Sequence, residues 1–223
     1  ATIDLPDADV ANFLVDSNFD GVVDEADLNT DASLSRYAMT ITLGSTGTCD
    51  YSNGSIAGCN FEAIYGYGGR SFSIFDADSR QIVFDSGSDF EVITAQRLGI
   101  NFNSDNDENG SGESRSDAKG PEPEGITLGT INGKTYAFIG LERVGGIMVY
   151  DISSPENAEF VQYITSRDFT ISDVSDPTVA DDIDLGPEGI EFIAASDSPN
   201  GKALLLVSNE VSGTLAVFEI NID

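Results

Sequence analysis

The sequence predicts an all-β protein built from β-propeller-like repeats of antiparallel sheets with long calcium-binding loops. Short apolar runs are separated by clusters of Gly, Asn, Asp, Ser and Pro, which is the pattern of many short strands. The stretch Gly133–Ile152 aligns without a gap with Gly201–Ile220, and Gly69–Asp76 resembles the second strand of both. Each copy consists of a strand, a Gly-containing turn and a second strand, which is typical of propeller blades.

The apolar runs place the predicted strands in order along the chain. They are Ser71–Phe75, Gln81–Phe84, Thr135–Gly140, Gly146–Asp151, Ala203–Ser208 and Thr214–Ile220. The repeats are longer than compact blades, so we expect inserted loops at Asn101–Lys119 and Arg167–Leu185. Residues 1–223 are interpreted either as a single propeller-like domain or as the C-terminal half of a larger, here incomplete, propeller. A β-sandwich is the alternative fold.

The composition is strongly acidic. There are 39 Asp and Glu residues against 10 Lys and Arg, which gives a formal net charge of -29. Such a surface repels nucleic acid and anionic membranes and attracts divalent cations, while a surface kept soluble by its charge is a second, compatible explanation. We therefore expect divalent cations as partners, with no nucleic acid and no membrane insertion.

Histidine is absent from the chain. Its absence excludes a Ser-His-Asp triad, a Cys-His pair and any zinc or haem site with a histidine ligand. A metal in this protein would rest on oxygen ligands, and oxygen ligands favour calcium or magnesium.

The two cysteines, Cys49 and Cys59, flank a polar loop. This spacing suits a disulfide-closed hairpin, and a disulfide indicates an oxidising compartment. The alternative is a pair of free thiols in a cytosolic protein. Together with the acidity, the pattern favours a secreted or cell-surface protein, extracellular or periplasmic.

The segment Asp16–Asp27 has the spacing of a calcium-binding loop. Oxygen side chains stand at loop positions 1, 3, 5, 9 and 12, and Gly21 at position 6 permits the sharp turn. The predicted ligands are Asp16, Asn18, Asp20, the carbonyl oxygen of Val22, Asp24 and Asp27. The alternative is an Asx-rich turn that has this spacing by chance.

A second acidic segment has only the first half of such a loop. Asp105, Asp107 and Asn109 precede Gly110 with the same spacing, and they are predicted as further calcium ligands. Ser116 would occupy position 12, so the loop is not completed in the same way. A solvated loop is the alternative for this segment.

Glutamates recur at matching places in the two repeats. The candidate central acidic site consists of Glu122, Glu124, Glu142, Arg143, Glu188 and Glu210. Acidic groups at the ends of propeller strands converge near the central channel, where they hold a metal or act as an acid and base pair. The alternative, which the repetition favours, is structural: Pro-Glu-Gly forms a tight turn, and a recurring acid caps backbone amides.

Several motifs resemble the choice-of-anchor I domain family. They are Tyr65–Asp76, Phe102–Asp107, Gly120–Gly125, Ile139–Arg143 and Gly186–Gly189, and the resemblance runs from about Glu62 to the C-terminus. The family includes secreted bacterial proteins and mesenchyme-specific cell-surface glycoproteins of biomineralising animals. The resemblance implies an extracellular or surface-attached propeller, often longer than this chain. Some members carry an alkaline phosphatase label, and others are associated with calcium-rich mineral.

Two functions follow from these features. The first is a secreted, acidic, calcium-binding propeller protein with a structural, adhesion or surface-assembly role. Other protein chains would then complete the propeller or the assembly. The alternative is a calcium-dependent phosphoesterase, similar to propeller phytases or alkaline phosphatases. The sequence does not decide whether the chain is an enzyme, and no cluster of its ten basic residues would cradle a phosphate.

Overall fold

The computed structural model describes residues 40, 43–46, 60–63, 65–175 and 183–221. The chain divides into two units. The first contains residues 1–68 and 117–119, and its described part includes a short antiparallel pair, β1 (Ser45–Thr46) and β2 (Asn60–Phe61). The second contains residues 69–116 and 120–223 and holds the remaining elements.

The second unit is predominantly antiparallel β-structure, so the predicted all-β class is confirmed. It begins with a hairpin and one helix, followed by a four-stranded and a three-stranded sheet. The elements are β3 (Ser73–Phe75), β4 (Ile82–Asp85), α1 (Asp89–Leu98), β5 (Pro123–Ile131), β6 (Lys134–Leu141), β7 (Ile147–Asp151), β8 (Glu159–Ile164), β9 (Pro187–Ile193), β10 (Leu204–Asn209) and β11 (Thr214–Glu219). Short 3-10 turns cover Gly99–Asn101 and Pro155–Asn157.

Strands β5 to β8 form a meander in which each strand pairs with the next. Asn132 and Gly133 make the β5–β6 turn, and both have positive φ (51° and 81°). Two consecutive residues of this kind match the right-handed twist of a two-residue hairpin, which is why Asn-Gly is favoured there. The second sheet is formed by β9, β10 and β11 in the same order as in the chain.

The central strands of the four-stranded sheet, β6 and β7, are buried on both faces. On one face, Met148 and Tyr150 join the cluster that contains Phe72 and the α1 residue Phe90. On the other face, Phe138 packs in the cluster that holds residues of β10. Because successive side chains of a strand point to opposite faces, a strand buried on both sides is apolar on both, as β6 is from Tyr136 to Leu141.

The two sheets approach each other closely through glycines. A Cβ atom on Gly129 of β5 would lie 2.5 Å from the ring of Phe192, and one on Gly140 of β6 would lie 2.9 Å from Ile190 Cδ1. The absent side chains therefore leave the space that the two large β9 side chains fill. Interiors of proteins are packed without such overlap, so these glycines fix the distance between the sheets.

Helix α1 is an element that the sequence analysis missed. It buries Phe90 and Thr94, while its first turn carries Asp89 and Glu91. Acidic residues near a helix N-terminus interact favourably with the helix dipole, and this is the sequence signal that was available. Among the described residues, no helix is long and apolar enough to cross a lipid bilayer.

The contact between the sheets predicts the effect of filling a glycine. We expect Gly129→Ala to lower the free energy of unfolding by about 1–3 kcal/mol, because the new methyl group overlaps the Phe192 ring. Urea unfolding measures this loss. The exposed neighbour gives a matched control, Thr130→Ala, and the double variant Gly129→Ala/Phe192→Leu should recover part of the loss. Equal stability of Gly129→Ala and Thr130→Ala would contradict the packing described.

Candidate acidic site

The acidic site lies at the ends of two corresponding strands, β6 of the four-stranded sheet and β10 of the three-stranded sheet. Glu142 follows β6, and its amide donates to the carbonyl oxygen of Glu122 at 2.8 Å. Glu210 follows β10, and its amide donates to the carbonyl oxygen of Gly186, also at 2.8 Å. The same backbone bond thus recurs in both repeats, and it makes Glu142 equivalent to Glu210 and Glu122 equivalent to Gly186.

This equivalence refines the alignment of the repeats. Glu124 and Glu188 are each the second residue of their strand, β5 and β9, so they correspond to each other. Glu122 corresponds to no acid in the second repeat. It has a positive φ of 51°, and its counterpart Gly186 has a φ of 71°. A side chain in this region costs about 1–2 kcal/mol, so Glu122 is a strained, asymmetric residue in an otherwise repeated turn.

Three carboxylates converge at this point. Glu122, Glu124 and Glu142 each offer an oxygen atom, and these atoms lie within 4.8 Å of one another. Glu122 and Glu142 are only 3% exposed, whereas Glu124 is exposed. Among the described ranges, this is the group of three acidic side chains whose spacing suits a common cation.

Two arginines lie beside the buried glutamates. Arg115 Nη2 donates to Glu122 Oε1 at 2.8 Å, and Arg143 Nε donates to the same oxygen at 3.1 Å. Arg143 Nε also lies 2.8 Å from Glu142 Oε2. Asn106 Nδ2 donates to Glu142 Oε1, and Asn106 Oδ1 accepts from Arg143 Nη1 at 2.8 Å. The segment around Asn106 is therefore tied to the end of β6.

Burial raises the pKa of Glu142 to about 7. The guanidinium of Arg143 opposes this shift, and repulsion from Glu122, Glu124 and Glu210 adds to it. Among the described residues, Glu142 Oε2 accepts no hydrogen bond, and its neighbouring charge is the guanidinium of Arg143. A buried oxygen with so little solvation favours either a proton or an additional cation.

The second repeat has the carboxylates without the arginine. Repulsion from Glu210, and then a hydrogen bond with Glu210, raise the pKa of Glu188. Repulsion from Glu124 of the first repeat acts in the same direction. Val211 stands where the first repeat has Arg143, and no salt bridge of the described residues includes Glu188 or Glu210. The predicted central residues therefore form one electrostatically coupled group across the two sheets.

The predicted ligands Asp105 and Asn109 are held by arginines. Asp105 forms ion pairs with Arg143 at 3.3 Å and with Arg115 at 3.6 Å. Asn109 Oδ1 accepts from Arg167 Nε at 3.0 Å. Asp107 is exposed. The assignment of these three residues as calcium ligands stays a prediction, and the described geometry shows guanidinium groups at two of them.

Arg167 is a residue that the sequence analysis missed. It is 5% exposed and donates to the carbonyl oxygens of Glu108 at 2.9 Å and Arg143 at 3.0 Å. Its guanidinium lies 4.6 Å from the centre of the Phe169 ring. Burial lowers its pKa to about 10. Arg167 thus fastens the inserted segment to the turn after β6, and nothing in its local sequence distinguished it.

Two other predictions lie outside the described residues. They are the calcium loop at residues 16–27 and the disulfide between Cys49 and Cys59.

The pKa of Glu142 predicts a pH-dependent stability in the absence of metal. The native protein keeps the Glu142 proton up to about pH 7, while an ordinary glutamate loses it near 4.5. Because the native state binds more protons in this interval, Glu142 lowers the free energy of unfolding as pH rises through it. The variant Glu142→Gln should therefore lose about 1–3 kcal/mol less free energy of unfolding than the wild type over this pH interval.

Urea unfolding in chelator at pH 5 and pH 8 measures this difference. The exposed residue Glu156 gives the matched control, Glu156→Gln, which should keep the wild-type pH dependence. If the free energy of unfolding changed equally with pH in Glu142→Gln and in the wild type, burial would not raise the pKa of this carboxyl.

Comparison with known proteins agrees with the resemblance found in the sequence. The chain matches the choice-of-anchor I domain over residues 7–155, so the match begins before Glu62 and includes the segment 16–27. It is 30% identical over 167 residues to Gigasin-3a of Magallana gigas, a match that covers 71% of this chain and 58% of that relative. No solved structure matches the chain. These relatives support an extracellular location. The chain belongs to the choice-of-anchor I domain family.

Proposed function

We propose that the chain is a secreted, calcium-binding β-propeller protein with a structural, adhesion or surface-assembly role. The observation that carries the proposal is the convergence of Glu122, Glu124 and Glu142. One member of the group, Glu122, keeps a strained backbone that its counterpart avoids by being glycine. Backbone strain of this kind persists where a side chain is needed in a particular place.

The donor set fits calcium. Calcium takes oxygen ligands at about 2.3–2.6 Å, so two ligands on opposite sides of the ion are about 5 Å apart. The three carboxylate oxygens lie within 4.8 Å of one another, which is compatible with a shared ion. The chain has no histidine to favour zinc. When bound, calcium would supply positive charge to carboxylates that otherwise repel one another.

The exposed and buried members of the group have different roles in this proposal. Glu124 is exposed and would meet an ion arriving from solvent, while the buried Glu142 offers an oxygen that accepts no hydrogen bond. Glu188 and Glu210 add negative potential beside Glu124 without a matching arginine. The net charge of -29 raises the local concentration of divalent cations around the whole molecule.

The repeat supports the propeller architecture. Four apolar residues of the first sheet are buried against the second sheet. Their counterparts in the second sheet are also apolar, and they lie on the face that points away from the first sheet. The pairs are Tyr136 and Leu204, Phe138 and Leu206, Ile147 and Leu215, and Val149 and Val217. Leu215 and Val217 are 63% and 58% exposed. A further sheet packed on this face would bury them, as expected if blades from additional polypeptide complete a propeller.

Calcium binding predicts a metal-dependent stability. We expect the melting temperature to rise by several degrees when calcium replaces chelator, with bound metal measured by elemental analysis of the same sample. The double variant Glu124→Gln/Glu142→Gln should lose part of this rise. Asp16→Ala/Asp20→Ala should lose another part through the segment 16–27, with little change in chelator.

The exposed Glu156→Gln variant is the control, and it should keep the full rise. Two separate losses would support two calcium sites. A loss only with Asp16→Ala/Asp20→Ala would leave the carboxylate group as a structural ion-pair network. No rise and no bound metal would overturn the calcium proposal at both places.

A calcium-dependent phosphoesterase activity is the second proposed function, and one observation favours it. The guanidinium groups of Arg115 and Arg143 lie beside the converging carboxylates, which is where a calcium-bound phosphate would need further positive charge. If the activity exists, hydrolysis of p-nitrophenyl phosphate should require calcium and fall at least about tenfold in Glu124→Gln. Turnover that persists in chelator, or an inactive wild type, would exclude this function.

A further inference from the structure

The two inserted segments, 101–119 and 167–185, are bonded to each other through a side-chain amide. Asn109 of the first segment donates from Nδ2 to two carbonyl oxygens of the second segment, those of Asp168 and Ile171, both at 2.8 Å. The bonded residues are 59 and 62 positions apart in the sequence. Ordering a long polar loop costs conformational entropy, and this one side chain restricts both loops at once.

Arg167 completes this connection from the second segment. Its Nε donates to Asn109 Oδ1 at 3.0 Å, and its Nη2 donates to the carbonyl oxygen of Glu108 at 2.9 Å. Its Nη1 donates to the carbonyl oxygen of Arg143 at 3.0 Å, in the turn after β6. One planar guanidinium therefore holds the two segments and this turn in a fixed arrangement. We call the pair Asn109 and Arg167 the clamp.

The clamp is connected to the acidic site through Asn106, which lies three residues before Asn109. Asn106 Nδ2 donates to Glu142 Oε1, and Asn106 Oδ1 accepts from Arg143 Nη1 at 2.8 Å. Asn106 is 4% exposed, so these bonds are shielded from water. The bond to Oε1 occupies one oxygen of the Glu142 carboxylate and thereby sets the orientation of the other. The segment that the clamp holds thus carries the side chain that orients a proposed calcium ligand.

We propose that Arg167 is a positioning residue of the calcium site: through the clamp it holds Asn106 in place, and through Asn106 it orients Glu142 for the ion. This inference rests on the calcium site proposed above, and it adds to that site a residue that acts through other residues. Groups that orient metal ligands change the metal affinity by about 10–100-fold when they are removed. The second inserted segment therefore contributes to a site formed by the first repeat.

The positive charge of Arg167 gives the test a sign. A guanidinium repels Ca²⁺, so loss of this charge alone would tighten calcium binding, whereas loss of the positioning would weaken it. Arg167→Gln removes the charge and the planar set of donors, while Arg167→Lys keeps the charge and loses the planar set. Positioning predicts weaker binding in both variants. Electrostatic repulsion alone predicts tighter binding in Arg167→Gln and no change in Arg167→Lys.

The measurement is a calorimetric titration of Ca²⁺ into the full chain carrying Asp16→Ala/Asp20→Ala, which removes two predicted ligands of the segment 16–27. In this background, the dissociation constant should rise at least about tenfold with Arg167→Gln and with Arg167→Lys. Asn109→Ala, a smaller change on the other side of the clamp, should raise it by about threefold to tenfold. Combining Arg167→Gln with Asn109→Ala should add little, because both changes break the same connection.

Three controls accompany the titration. Glu124→Gln in the same background should weaken binding at least about tenfold, which assigns the measured signal to the acidic site. Phe160→Leu lowers the stability by removing a ring that packs against Tyr150, and it should leave the dissociation constant within about twofold. Hydrogen exchange in chelator should become faster for the amides of residues 105–113 in Arg167→Gln and stay unchanged there in Phe160→Leu.

Three results would overturn the inference. Unchanged calcium affinity in both Arg167 variants, with faster exchange of residues 105–113, would make the clamp a structural contact only. Tighter binding in Arg167→Gln would show that its charge acts on the ion and its position does not. No binding in the background chain, or full binding in Glu124→Gln, would remove the proposed calcium site itself. If the Arg167 variants do not fold, equal affinity of Asn109→Ala and the background chain decides against the inference.

Discussion

The close packing of β5 against β9 is the contact on which the acidic site depends. A Cβ atom on Gly125 would lie 2.2 Å from the carbonyl oxygen of Glu188, so the two strands meet nearly backbone to backbone at this point. Glu124 and Glu188 adjoin this contact, one on each strand, and Glu124 consequently acts on the pKa of Glu188. With larger residues in β5, the sheets would stand further apart and Glu124 would repel Glu188 less strongly.

The site is a repeated frame with asymmetric charges. In each repeat, the residue with positive φ before the first strand (Glu122 or Gly186) accepts a backbone hydrogen bond at its carbonyl oxygen. The donor is the amide of the glutamate that follows the second strand, Glu142 or Glu210. Only the first repeat places a carboxylate at the left-handed position, Glu122, and an arginine after its recurring glutamate, Arg143. Repetition alone favours a structural role for the glutamates. These two differences between the repeats, Glu122 and Arg143, lie side by side. The second repeat forms the same turn without them, so the turn itself does not require these charges.

The strands and the repeat could be predicted from the sequence because they are recorded in local patterns. Apolar runs and turn residues, such as Asn132–Gly133, fix hairpins without reference to distant parts of the chain. Helix α1 was missed because its ten residues carry a weak apolar pattern and its burial depends on Phe72 and Tyr150, which are distant in sequence. The strain at Glu122 was also hidden, since no local sequence pattern shows that this residue has a positive φ.

Basic residues are scarce in this chain, and their positions show how its charge is managed. Of ten Lys and Arg residues, Arg143 and Arg167 hold the inserted segment 101–119 to the turn after β6, and Arg115 ties the same segment to Glu122 just before β5. A guanidinium keeps its charge at any ordinary pH, so this attachment does not require bound metal. The carboxylates beyond the arginines, Glu124, Glu188 and Glu210, have no such partner among the described salt bridges. Of these three, Glu124 also belongs to the converging group Glu122, Glu124 and Glu142, so the calcium proposed there would neutralise charge that no described salt bridge compensates.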